Sequence, residues 1–218
     1  MRQLGTVMRH LERYLRRRME LGRGFMAQLR GVQAGRRFGL GRMVRVLYPE
    51  CLTVGDDVTI DDFGYLHCLS EPGVRIGSGA SIDRNLWLHC GGRPDDYAHG
   101  FFEIGDNSYI GCNAVLGAGG GIRIGDHVLI GQSVNMHAEN HSFEDPGVPI
   151  YQQGVTYKGI VVEDDCWIGS KVTILDGVTI GRGSAIGAGS VVTRSIPPYS
   201  VAMGAPAQVI RSRKNTDA

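Results

Sequence analysis

Counting back by sixes from Val192, the chain places an aliphatic residue at every step: Ile186, Ile180, Ile174, Ile168 and Val162. A second apolar or small residue stands four positions after each of the earlier members, at Cys166, Val172, Val178, Ser184 and Ser190. Glycine follows the aliphatic residue at Gly169, Gly181 and Gly187. The same phase runs through Ile124, Ile130 and Met136, and through Ile104, Ile110 and Leu116. It continues through Ile76, Ile82 and Leu88, and through Val54, Ile60 and Leu66. Neither an amphipathic helix nor an ordinary hairpin strand explains a recurrence fixed at six. A triangular coil does. Each hexad forms one short flat side, its aliphatic residue points into a narrow interior, and Gly, Asn or Asp turns the corner. Stacked coils bury one another's apolar stripe, which a single coil cannot do against its own ordering entropy. The pattern therefore predicts an all-β, single-stranded parallel β-helix.

Three stretches escape the phase. Residues 89–103 include GGRPDDYAHG, and residues 142–160 carry SFEDPGVPIYQQGVTYKGI; both read as loops projecting from the scaffold. Residues 1–45 lack the repeat. Leu4, Met8, Leu11 and Leu15 fall there at helical spacing with arginines between them, which predicts an amphipathic helix. The expected organisation is a basic helical segment over 1–45, a β-helix over 46–197 and a tail over 198–218, where prolines end the coil.

Composition changes this picture in two places. The 33 glycines suit a chain full of tight corners. The formal charge of +1 hides an asymmetry, because residues 1–45 hold twelve arginines against Glu12 and Glu20 and leave the remainder acidic. The five cysteines lack the close spacing of zinc sites and predict a reduced, cytoplasmic protein. No apolar run reaches the roughly 18–20 residues of a membrane span, and none reads as a signal peptide.

The segment NMHAENHSFEDP holds the strongest candidate for chemistry, because His141 stands where the regular coil stops and the long loop begins. With the run VEDDCWIGSKVTILDGVTIGRGSAIGAGSVVTRSIPPYSVAMGAPAQVIR, and with the spacing from Tyr109 to His141, this segment resembles the hexapeptide-repeat acyltransferases. The similarity is greatest to the galactoside and maltose O-acetyltransferase branch. The resemblance implies a left-handed β-helix, a homotrimer with sites between neighbouring copies, and acetyl-CoA as co-substrate without a metal. It implies His141 as general base in direct acetyl transfer to a hydroxyl of a sugar or polysaccharide precursor. An imidazole, with an ordinary pKa near ~6.5, suits taking a hydroxyl proton and returning it to the departing sulfur.

The same resemblance places Tyr109 on the acceptor side. Asn113 is a further acceptor-side candidate, two residues past Gly111. His137, four residues before His141, is a candidate to orient it or bind the acceptor and reads equally well as a solvated corner. Glu139 and Glu144 are candidate partners for the imidazole of His141. Trp167, Ser170, Ala188, Thr193, Arg194 and Arg211 fall on the CoA side, where small residues also serve packing and arginines suit phosphate. The chain departs from the branch at Gly111, where an Asn assists the acyl site, and at Gln208, which replaces a basic residue.

Other readings stand beside this one. Chemistry on the amine of a nucleotide-linked amino sugar, or on an antibiotic hydroxyl, needs no change of fold. A β-helix metalloenzyme would draw on His89, His127, His137 and His141, whose spacing does not match its motif. The arginine-rich N-terminus predicts either a helix packed across the open end of the β-helix or a peripheral contact with an anionic inner membrane face. Nucleic acid is not an expected partner, since the body is acidic and no basic-aromatic motif occurs.

Overall fold

The computed structural model describes residues 2–91 and 99–214. Three sheets, of seven, nine and seven strands and parallel but for the last strand of the second, wrap around one core as a left-handed β-helix. We call them faces I, II and III in the order the chain visits them. Face I includes Leu52–Val54, Val74–Ile76, Phe102–Ile104, Ile122–Ile124 and Ile160–Val162. Face II includes Thr59–Ile60, Ser81–Ile82, Tyr109–Ile110, Leu129–Ile130, Trp167–Ile168 and Ala185–Ile186. Face III includes Arg45–Leu47, Tyr65–His67, Trp87–His89, Val115–Gly117, Asn135–His137, Thr173–Leu175 and Val191–Val192.

The hexad residue sits inward on every face. Ile82, Ile110, Ile130, Ile168 and Ile186 form one buried column, in register from coil to coil. The partner four positions on fills the corner, as Val128, Cys166 and Ser184 do. Burial pushes the thiols of Cys68 and Cys90 up, so both act as core side chains. Corners need one residue in the left-handed region, commonly a side chain that tolerates it, such as Asn107 at φ 55° and Asn113 at φ 61°.

Glycine after the aliphatic residue has a different cause. A Cβ on Gly125 would lie 2.7 Å from the backbone nitrogen of Asp164 in the next coil, so only a bare backbone allows the coils to approach. A polar ladder ties that corner together. The amides of Ser78, Asp106 and Asp126 each donate to the carboxylate of the next coil, at 2.6, 2.7 and 2.9 Å.

The helix spans Arg2–Leu29 and packs across the open end of the coil stack, against Gly39–Leu40. Glu20, Gly24 and Ala27 make its buried face. The opposite stripe, Met8, Leu11, Leu15, Met19, Met26 and Leu29, stays about half exposed or more. Much of the basic charge is used internally. Arg16 pairs with Glu20 and Asp61, Arg36 with Asp56, and Arg42 with Asp62. Arg17 donates to the Thr59 hydroxyl and Arg23 to the Leu40 carbonyl.

Both ends of the β-helix differ from the sequence expectation. Residues 33–47 already form a coil, with Gln33–Ala34, Gly39–Leu40 and Arg45–Leu47 paired to the coil that follows. The hexad phase runs on there through Ala34, Leu40 and Val46, the last two buried, but arginines at the outward positions mask it. At the other end, Ser200–Gly204 adds a further rung below Ala185–Ile186, and Ala207–Ser212 folds back antiparallel on it. The expected loop at 89–103 falls largely on residues 92–98, which lie outside the described residues. The loop over 142–160 opens with a short antiparallel pair, Asn140–His141 with Val155–Thr156.

Candidate active site

His141 pairs across that hairpin with Val155 and is exposed. The loop beyond it is held by its own side chains. Gln153 accepts from the Asp145 amide at 3.0 Å and donates to the carbonyls of Asp145 and Val148 at 2.8 and 2.7 Å. At the hairpin's exit, the Asp176 carboxylate accepts from the amides of Lys158 and Gly159, at 3.0 and 2.8 Å. The hairpin that carries His141 is thus braced within its own loop and tied to the coil at its exit. Phe143, Ile150 and Tyr151 point their apolar surface outward from it.

Among the described residues, neither Glu139 nor Glu144 bonds His141. Glu139 lies instead against Gly119 of the preceding coil, where a Cβ would meet its carboxylate oxygen at 2.0 Å.

The acceptor-side candidates do not converge within one chain. Tyr109 is on face II, its hydroxyl donating to Asp83 at 3.2 Å; burial in first place, and then that carboxylate, push its pKa up. Asn113 stands exposed on the corner between faces II and III and accepts from Asn85 at 2.9 Å. His137 projects from face III, exposed, in register with Gly117 and Leu175. Position 111 supplies no side chain for a packing reason: a Cβ there would lie 2.7 Å from the carbonyl carbon of Gly131.

The cofactor-side candidates divide into three groups. Trp167 and Arg211 line one groove of about 360 Å³ on face II, with His127, Leu129, Ala185 and Val201. Trp167 leaves 59% of its surface open there. Ser170 and Ala188 stack on the edge between faces II and III, where the Ser170 hydroxyl bonds Gln132 at 2.7 Å. Thr193 and Arg194 follow the last strand of face III and are exposed. His127 therefore belongs to the face II groove, whereas His89 and His137 stand on face III. No group of three or more metal-binding side chains occurs among the described residues.

One cluster escaped the sequence reading. On face III, His67 and His89 stack at 4.3 Å with Tyr48 edge-on to the first and Trp87 stacked on the second. Its one trace in the sequence is that each histidine follows a hexad leucine, Leu66 or Leu88; coil-to-coil register is what makes the two neighbours.

Residues 159–194 match the family described as bacterial transferase hexapeptide (six repeats), and residues 103–134 match the hexapeptide repeat of succinyl-transferase. A probable acetyltransferase of Mycobacterium tuberculosis is 37% identical over 158 residues, covering 68% of this chain and 53% of that protein. The galactoside O-acetyltransferase of Escherichia coli is 36% identical over 140 residues, covering 63% and 66%. The chain thus spans about half to two thirds of the length of these curated relatives. Among solved structures, an N-acyltransferase from Bacillus cereus in complex with dTDP and coenzyme A superposes with a TM-score of 0.56. It is 22% identical, with 84% of this chain and 85% of that one covered, and shares the fold.

Proposed function

The chain belongs to the hexapeptide-repeat acyltransferases, and on that premise we propose that it moves an acetyl group from acetyl-CoA to a hydroxyl of a sugar or polysaccharide precursor. His141 acts as general base. It takes the hydroxyl proton as the oxygen attacks the thioester carbonyl; the tetrahedral intermediate then collapses, the C–S bond breaks, and the proton passes to the CoA sulfur. No acyl-enzyme intervenes.

The carrying observation is the placement of two half-sites. His141 leaves the scaffold on a hairpin after face III, while the Trp167 and Arg211 groove lies on face II. One chain holds the two on different sides of a triangular prism. A homotrimer with the hairpin of one copy reaching over the groove of the next completes the site. The outward Phe143, Ile150 and Tyr151 supply apolar surface for that contact. In the completed site Trp167 and Ser170 line the pantetheine path and Arg211 meets phosphate, with Ala188, Thr193 and Arg194 along the edge. Tyr109, Asn113 and His137 face the acceptor.

Thiol release from acetyl-CoA across a panel of sugars, nucleotide-linked amino sugars and antibiotics tests the reading. A sugar alcohol group is the expected acceptor, and loss of turnover in His141→Ala the expected control. Turnover confined to amines, or a protein-bound acetyl group accumulating with acetyl-CoA alone, rejects it. Scattering mass in solution tests the trimer.

The N-terminal helix supports a second, independent point. Among the described residues, no helix is long and apolar enough to cross a membrane. The uncovered stripe from Met8 to Leu29 nevertheless lies beside the exposed Arg18 and Arg30. That arrangement fits a helix resting on an anionic membrane surface at the cytoplasmic side, near lipid-linked acceptors. Failure to co-sediment with phosphatidylglycerol vesicles at low salt removes it.

A further inference from the structure

Apart from His137, the outer side of face III carries chemistry that the acetyl-transfer reading leaves unused. One outward column runs Leu47, His67, His89, Gly117, His137 and Leu175, in register throughout. The column beside it includes Tyr65, Trp87, Val115 and Asn135. Across the two, Tyr48, His67, His89 and Trp87 form a continuous ring surface. The imidazoles of His67 and His89 are 4.3 Å apart and 14° from parallel, and Trp87 lies 5.5 Å from His89 at 15°. Trp87 leaves 41% of its surface open.

This surface disfavours charge. Burial first, and then the neighbouring His89, hold the His67 pKa below the ordinary histidine range; burial does the same for His89. The Nδ1 of His67 is buried without a hydrogen-bond partner. Among the described residues of the two columns, the one cation is Arg45, at the end away from His137.

Gly117 separates His89 from His137, and packing does not require it. Its φ is not in the left-handed region, and a Cβ there would meet only the Met136 carbonyl at 3.7 Å and the His137 imidazole at 3.8 Å. Gly105, Gly111 and Gly125 are different: a Cβ on each would lie within 3 Å of backbone in the next coil. The glycine at 117 leaves a notch of bare backbone in an otherwise filled column. From His89 across that notch to His137 is two coil steps, about 9.5 Å at ordinary strand spacing. The chain leaves His137 directly into the hairpin that carries His141.

We propose that this shelf seats an uncharged sugar ring of the acceptor, beyond the ring whose hydroxyl reacts, so that the preferred acceptor is a disaccharide or longer glycan. The inference rests on the reading of His141 as the base. The apolar face of a pyranose lies on the His89 and Trp87 rings, its hydroxyls meet His67 and His89, and the chain of rings crosses the Gly117 notch toward His137. A nucleoside diphosphate would need cations midway along the shelf, where the described residues of the two columns supply none.

Imidazole proton signals of the full-length protein, titrated without acetyl-CoA, test the shelf apart from catalysis. The probes are maltose, lactose and methyl glucoside, and the variants are Gly117→Leu, His89→Ala and His141→Ala. At least one disaccharide is expected to shift the His67 and His89 signals. Gly117→Leu is expected to weaken that disaccharide about tenfold or more, with methyl glucoside binding, solution mass and thermal unfolding unchanged. His141→Ala is expected to keep the shifts while losing turnover. Should Gly117→Leu fail to fold, the same loss is read in His89→Ala. Signals unmoved by either disaccharide, or wild-type disaccharide affinity in the blocking variant, overturn the shelf. So does a changed solution mass in that variant, which would show a second copy lying on face III. Turnover retained in His141→Ala with the shifts intact rejects the base assignment and leaves the shelf standing.

Discussion

Faces II and III are made by the same hexad and stand on the same core, yet they present opposite chemistry outward. Face II offers a groove with an exposed indole and the guanidinium of Arg211. Face III offers stacked rings, a bare glycine and the root of the His141 hairpin. The inward residue of each hexad is held by the core, whereas the outward ones are free to differ. The scaffold therefore separates stability from function by side-chain direction alone. A substitution's effect should depend on which way its side chain points before it depends on which coil it occupies.

The largest test removes the base. His141→Ala should lower turnover by about 10²–10⁴-fold while acetyl-CoA affinity, measured by titration calorimetry, stays as in the wild type. A comparable loss of acetyl-CoA affinity would place His141 with the groove and dissolve the contrast between the faces.

Glycines that look alike should then separate. Gly125→Ala forces a Cβ against the Asp164 backbone and should cost about 1–3 kcal/mol in denaturant unfolding. Gly117→Ala, whose Cβ would make only ordinary van der Waals contacts at 3.7 and 3.8 Å, should unfold like the wild type. Equal costs would mean that coil spacing, not the notch, explains both.

On face II, Trp167→Ala and Arg211→Ala should each raise the KM for acetyl-CoA several-fold, up to about tenfold, with the acceptor KM unchanged. A raised acceptor KM alone would move that groove to the other substrate.

The smallest effect is on pH. Because the folded-state pKa values of His67 and His89 lie below their unfolded values, the unfolded chain binds more protons as pH drops through about 6.5. Their contribution to stability is full above that point and is lost as pH falls through the folded values. Melting temperature measured from pH 8 to pH 5 should fall less in a His67→Gln, His89→Gln double variant than in the wild type.

How much of this was legible beforehand divides along the same line. The core columns could be read from residue spacing, because an inward side chain in a narrow coil has to be aliphatic at every sixth position. His141 was legible as the place where that spacing stops, and its neighbourhood carries the resemblance. The first coil over 33–47 was hidden because arginines dominate its outward positions. These arginines read as a loose basic segment until Arg36 and Arg42 are seen bonded to Asp56 and Asp62 in the next coil. The charge asymmetry that suggested a partner elsewhere is in good part a match between neighbouring coils.

The sequence by itself determined the period, hence the triangular coil, the buried columns and the points where loops leave it. Only the tertiary structure decided which outward side chains become neighbours. Contact between coils joins residues about twenty positions apart, and the insertions at the two loops change that count, so no local spacing reveals it. That is why the His67 and His89 stack, the Gly117 notch and the separation of His141 from the Trp167 groove emerge only once the coils are stacked.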